Sequence, residues 1–182
     1  MRSRAPSRPP VTRTLLGWRE WVALPDLGIA RIKVKTDTGA RTSALHAWNL
    51  SQFERDGAPW VRFIVHPMQR LLLPAVEVEA LQVDERPVRN SGGVMERRPV
   101  ILTHLAVLGH TFPIEVTLTP RDEMGFRMLL GREALRDRFL VDPTKSYYNG
   151  RLGRQSRLDR DGHIDRHGHP NPRPKHPKVI VL

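Results

Sequence analysis

Residues 29–36 alternate apolar and polar side chains, then stop at one acid inside a tight turn, Asp37-Thr38-Gly39-Ala40. A period of two is the signature of a half-buried strand, so Ala30, Ile32, Val34 and Thr36 are expected on one face. Gly39 permits a bend that a Cβ would obstruct. A carboxylate at a strand end is held where a catalytic group is useful. An aspartate there serves equally well as a turn or helix cap. Similar runs recur over 17–24, 60–66, 75–83, 100–108 and 111–119, with Phe112, Ile114, Val116 and Leu118 the clearest alternation in the chain. Many short alternating runs and one convincing helix, 133–139, predict an all-β, barrel-like domain.

Between these runs the reading is coarser. Residues 40–48 suggest a turn of helix or a loop packing Leu45 and Trp48, and 52–59 are polar and turn-rich. Residues 84–98 centre on Asn90-Ser91-Gly92-Gly93, which fits a loop or hairpin tip. Phe126 to Leu135 reads as a short apolar strand, Gly131, and a helix start, and Tyr147 and Tyr148 suggest a last strand. The expected organisation is a basic, disordered segment over 1–14, one domain over 15–148, and a Pro/His-rich disordered segment over 149–182 in which Val179 to Leu182 is apolar enough to dock.

Charge follows that division. The 182 residues carry a net +11, but 15–149 hold eighteen basic and sixteen acidic residues, so most of the excess lies outside the domain. Basic flanks attract polyanions loosely, and no sequence-reading nucleic-acid motif accompanies them. The absence of cysteine excludes disulfides, thiol catalysis and Cys-ligated zinc. No signal-peptide pattern or membrane-length apolar run is present, so a cytoplasmic protein with no membrane partner is the expectation.

An Asp-Thr-Gly-Ala turn after an amphipathic strand, followed much later by an apolar strand running into Leu130-Gly131-Arg132 and a helix, resembles the retropepsin-like aspartic proteases. The longer string from Asp37 through Thr42, Ser43 and His46 to Ala47, with Arg121-Asp122-Glu123-Met124-Gly125, is similar to a bacterial branch labelled ATP-dependent zinc protease, RimB-like and associated with RimK-type glutamate ligases. The resemblance covers about residues 15–148. It implies a closed β-barrel, a flap at or near Gly92 and Gly93, and a peptidase that works as a homodimer, because one chain carries one Asp-Thr-Gly. Asp37 would be the catalytic carboxylate, Thr38 would brace the paired turns, and Gly39 and Ala40 would admit the substrate backbone. Since RimK-type ligases add glutamates to a ribosomal protein, it further implies an acidic, glutamate-tailed substrate.

Two departures from the retropepsin pattern matter. Lys35 and Thr36 precede the aspartate where apolar residues are usual. Arg41 stands where an acid usually pairs with the arginine of the Gly-Arg motif, which leaves Arg132 to find another partner. Lys35, Arg41 and Arg132 together would place positive charge near the cleft, favouring an ionised Asp37 and an acidic peptide. Each base alone also reads as a solvated surface charge. Zinc is implied by the family label only: no His-Glu-x-x-His is present, and His46 is the one weak candidate ligand. Two alternatives therefore stand beside the aspartic peptidase. One is a metal-dependent hydrolase using Asp37, His46 and an acid such as Asp122 or Glu123. The other is a non-catalytic module that binds acidic tails.

Overall fold

The computed structural model describes residues 13–68, 71, 74–89, 93–120, 125–148 and 150, and 178–180 by backbone alone. It is nearly all β. The strands are β1 (Thr14–Gly17), β2 (Arg19–Leu24), β3 (Ile29–Thr36), β4 (Ser43–His46), β5 (Trp48–Arg55), β6 (Ala58–Val65), β7 (Val76–Arg89), β8 (Met95–Val107), β9 (His110–Thr119), β10 (Met128–Leu130), β11 (Phe139–Asp142) and β12 (Lys178–Ile180), with one turn of helix, α1 (Arg132–Leu135). Hydrogen bonding runs β2-β3-β10-β4-β9-β8 and returns from β8 to β2 through Ala23 opposite Ala106, which closes a six-stranded barrel. The long strand β8 leaves the barrel to pair with β7, and β6 and β5 continue the sheet beyond it.

Alternation builds the core. Phe112, Ile114, Val116 and Leu118 of β9 face inward, as do Ile32, Val34 and Thr36 of β3. Burying one such large apolar side chain contributes about 2 kcal/mol. The whole β-propensity scale spans only about 1 kcal/mol. Burial, not propensity, therefore sets the register. Ala30 departs from the expected face: it is exposed, and Ile29 is buried instead. The cause is a register shift between Val22 and Leu24, where the pairing passes from Val22–Ile32 to Leu24–Ile29 and leaves an extra residue on β3.

Several segments correct the sequence reading. Residues 43–46 are a strand, not a helical turn or loop, and 48–55 are a strand that pairs with β6 across an Asp56-Gly57 turn. Asp56 (φ 52°) and Gly57 (φ 73°), like Leu108 (φ 50°) and Gly109 (φ 79°) between β8 and β9, take the doubly left-handed conformation of the two-residue hairpin turn. Residues 84–89 and 95–98 are paired strand. The helix stops at Leu135, because Arg136 is extended and Asp137 (φ 63°) is left-handed; the chain then forms β11. Strand β11 pairs in parallel with β1, so Thr14 belongs to the ordered domain, whereas Tyr147 and Tyr148 are not in a strand. The expectation of disorder over 1–12 and most of 149–182 lies outside the described residues. Residues 178–180 pair in parallel with Val78–Ala80 of β7.

Two buried or half-buried acids tie layers together. Glu79, its side chain 2 % exposed, accepts from Arg55 at 2.6 Å and Arg62 at 2.7 Å on the β5–β6–β7 sheet. The Arg55 bond, against the opposing effect of burial, holds its carboxyl below the usual range. Asp26, in the β2–β3 turn, accepts from the His104 backbone N–H at 2.7 Å and lies 2.9 Å from its Nδ1. Burial, the largest single influence, pushes the Asp26 carboxyl up, but the His104 N–H, the His104 ring and the Thr103 hydroxyl together outweigh it and hold it below 3.8. A carboxyl lowered on folding stabilises above its unfolded pKa and loses that contribution as pH falls through the folded value. Asp26→Asn is expected to cost about 1–2 kcal/mol in urea unfolding at neutral pH, with the gap to wild type closing below pH 3.8; a gap independent of pH would refute this role.

Candidate active site

The Asp37 turn is assembled from both ends of the domain. β10 lies between β3, which it pairs in parallel (Leu130 opposite Thr36), and β4, which it pairs antiparallel (Leu129 opposite Ala44). Asp37 N–H donates to the Leu130 carbonyl at 2.9 Å, so the strand end carrying the acid is stitched to the Leu-Gly-Arg segment. The Asp37 Oδ1 accepts from Gly39 N–H at 3.0 Å and Ala40 N–H at 3.1 Å. Its Oδ2 has no hydrogen-bond donor among the described residues. The carboxylate is half-buried while Thr38 and Gly39 are exposed, so the turn offers one oxygen to the protein and one to whatever occupies the cleft.

Arg132 clamps this turn. Its guanidinium donates to the Thr38 carbonyl at 2.9 Å and the Gly39 carbonyl at 2.8 Å, and its backbone N–H donates to the Ala40 carbonyl at 2.9 Å. Arg132 has thus exchanged a carboxylate partner for backbone carbonyls, the re-partnering that Arg41 makes necessary. Arg41 itself is exposed and stands 3.5 Å from Glu133, a contact that solvent screens strongly. Lys35 is exposed at the end of β3, with no carboxylate in salt-bridge distance among the described residues. Residues that sequence reasoning did not single out complete the clamp: Ser43 Oγ accepts from Gly131 N–H at 3.1 Å, and Glu133 N–H donates to the Arg41 carbonyl at 3.1 Å. Nothing in a lone serine or glutamate signals such a role before the strands are placed.

Beside the turn lies a cavity of about 340 Å³ whose lining includes Arg41, Arg86, Arg138, Glu115 and Glu133. It brings the β7 arm, through Arg86, close to the loop that follows Asp37. Gly92 lies outside the described residues. Gly93 (φ 81°) sits at the hairpin end, and no hydrogen bond or ion pair among the described residues joins that tip to the Asp37 turn.

His46 is at the other end of β4. Its N–H donates to the Arg127 carbonyl, three residues before the Leu130 carbonyl that takes Asp37 N–H. The His46 ring is buried against Trp48, with centroids 3.4 Å apart, and its Nδ1 is 3.3 Å from the Arg127 guanidinium. A guanidinium beside a ring nitrogen opposes a cation there. Among the described residues no three His, Asp or Glu side chains converge on one point. The described donors therefore do not fit zinc, and Asp37 and His46 are not brought together; Asp122 and Glu123 lie outside the described residues.

A Cβ on Gly131 would come within 2.5 Å of the Thr42 carbonyl carbon and 2.6 Å of its oxygen, both backbone atoms that cannot swing aside. Gly131→Ala should lower stability by about 1–3 kcal/mol in chemical denaturation. Gly125→Ala, which meets open space, should stay within about 0.5 kcal/mol of wild type. Equal effects at the two positions would show that the close approach at Gly131 is not required.

Comparison with known proteins agrees with this geometry. Residues 15–151 match the RimB-like family, described as retropepsin-like aspartic endopeptidase RimB. The chain is 45 % identical over 136 residues to a "probable alpha-L-glutamate ligase" of Shewanella halifaxensis, covering 75 % of this chain and 30 % of that protein. It is 46 % identical over 140 residues to a protein of the same name from Parasynechococcus marenigrum, covering 77 % and 30 %. The chain thus spans about a third of the length of these curated relatives. A crystal structure of a Legionella pneumophila protein of unknown function superposes with a TM-score of 0.63 at 28 % identity, over 76 % of this chain and all of that one. The barrel, the clamped Asp-Thr-Gly turn and the match over most of the domain place this chain in the RimB-like family of retropepsin-like proteins.

Proposed function

We propose that this chain is an aspartic endopeptidase that acts as a homodimer on acidic, glutamate-bearing peptides. The observation that carries the reading is the Asp37 carboxylate, fixed through Oδ1 by two backbone N–H groups on a turn clamped by Arg132, with Oδ2 left to the cleft. A single such turn per chain supplies half of a two-carboxylate site, and a two-fold axis would bring Asp37 against its own copy. In such a pair one carboxylate takes a proton from water as the water attacks the scissile carbonyl, and the other donates a proton to the carbonyl oxygen. The resulting tetrahedral intermediate collapses as the amine leaves with a proton. Thr38 and Gly39, exposed at the turn, would face the partner copy and the substrate backbone.

Support for an acidic substrate comes from the bases around the turn. Arg41 and Arg138 line the neighbouring cavity, in which Arg86 is already paired with Glu115 and Asp84, and Lys35 at the strand end has no carboxylate in salt-bridge distance among the described residues. Guanidinium groups bind carboxylates through paired hydrogen bonds. The relatives named as glutamate ligases contain a stretch similar to this domain within a longer chain, which fits a chemistry directed at glutamate-bearing products. A cytoplasmic site of action is part of this reading.

The test incubates wild type and Asp37→Asn with a glutamate-tailed peptide and with a mixed peptide library, reading products by mass spectrometry and molecular mass by light scattering. Wild type is expected to cleave as a dimer, and Asp37→Asn to lose at least about 100-fold in rate. Undiminished cleavage by Asp37→Asn, or activity confined to the monomer, would overturn the proposal. Loss of activity on chelation would turn attention to a metal.

A further inference from the structure

The face of the β2–β3 pair that points away from the core carries four cations. In the antiparallel register Arg19 stands directly opposite Lys35, and Trp21 directly opposite Lys33. The Arg31 guanidinium lies 4.8 Å and the Lys33 ammonium 5.3 Å from the Trp21 ring centroid. Arg19 lies 4.4 Å from the Trp18 ring and 5.1 Å from that of Tyr147, and Lys33 reaches Tyr147 at 5.9 Å. Tyr147 in turn stacks on Trp21 with centroids 6.2 Å apart. Arg19, Arg31 and Lys33 therefore surround one aromatic stack, and Lys35 stands opposite Arg19 at its end.

No described carboxylate neutralises them. None of the four has an Asp or Glu in salt-bridge distance among the described residues. The nearby acids are engaged elsewhere: Glu20 is buried, accepting from Gly17 and Tyr148 N–H, and Asp142 accepts from Thr144 and the Tyr148 hydroxyl. Like charges placed directly opposite across a strand pair destabilise it. The rings hold the cations in place without cancelling their charge.

Such a face suits an extended polyanion. Lys33 and Lys35, two residues apart on one strand, are spaced by about 6.6 Å, comparable to successive phosphates along a single strand. Trp21 and Trp18 are both covered by cations, whereas the neighbouring Tyr148 is 37 % exposed. An exposed ring beside cations is the arrangement that stacks a base while basic groups follow the backbone. An acidic polypeptide would match the charge and leave that ring idle. We infer that the outer face of β2–β3 binds single-stranded nucleic acid through its phosphates, without sequence preference. Binding on this face needs no Asp37 carboxylate, although Lys35 borders both the face and the Asp37 turn.

Fluorescence anisotropy with a labelled oligouridine, across a salt series on the full chain, tests this. Each phosphate contact on a single strand contributes about −0.7 to the slope of log affinity against log salt. Arg31→Gln/Lys33→Gln should weaken binding at least about tenfold and flatten the slope by about 1.4. Lys35→Gln, an exposed change outside the aromatic stack, should flatten it by about 0.7. Arg97→Gln/Arg136→Gln removes the same charge elsewhere and should have little effect. Unchanged binding in the face variants, an equal loss in the Arg97/Arg136 control, or displacement of the oligonucleotide by polyglutamate at lower concentration than by unlabelled RNA would each overturn the inference.

Discussion

Three residues, Met128 to Leu130, hold the barrel shut. Without β10, β3 and β4 have no common neighbour, because β3 would pair only with β2 and β4 only with β9. Gly131 follows at once, at a distance from the Thr42 backbone that no side chain tolerates, and Arg132 reaches over the loop whose carbonyls it binds. Barrel closure and the Asp37 turn are therefore one construction. A change that loosens β10 opens the sheet and releases the acid together.

The charges around the turn divide by what they touch. Arg132 donates to two carbonyls that would otherwise have water as partner, and those bonds fix backbone geometry. Arg41 and Glu133 are exposed and lie at the outer limit of contact, so their charges stay available to a ligand. Glu79, far from the turn, is the opposite extreme. A buried carboxylate must keep both arginines or become an uncompensated charge, so that ion triad governs whether the outer sheet holds together. Proximity to Asp37 in sequence is thus a poor guide to which base is structural.

Strands that face the core on one side and water on the other were legible from their alternation, as β9 and most of β3 show. The turn around Asp37 and the Leu-Gly-Arg clamp could be read from the same residues that carry the family resemblance. What escaped has physical causes. All four residues of β4 are buried, so no alternation exists to detect. β5 is largely exposed and polar, and its register shifts between Trp48 and Ser51, so hydrophobic period says nothing; the Asp56-Gly57 dipeptide was the one signal for that hairpin. The run from Glu133 to Phe139 has a helical pattern that tertiary pairing overrides, since Phe139 is needed beside Thr14 in the parallel ribbon. His46 sits within the family string, yet its ring belongs to the packing of Trp48 and Arg127 at the far end of its strand.

Strand β12 occupies the side of β7 that β8 abandons when it turns into the barrel: β8 pairs β7 only from Gln82 onward, and β12 takes Val78 to Ala80. An uncovered edge there would present a row of unsatisfied N–H and C=O groups beside the apolar residues Val76 and Val78, the template on which a strand from another molecule could grow. By filling it, the chain uses its own backbone as a stopper. The same few hydrogen bonds satisfy this stretch of β7 and leave the three-residue β12 as the edge in its place, so protection of this edge comes from topology as well as from surface charge.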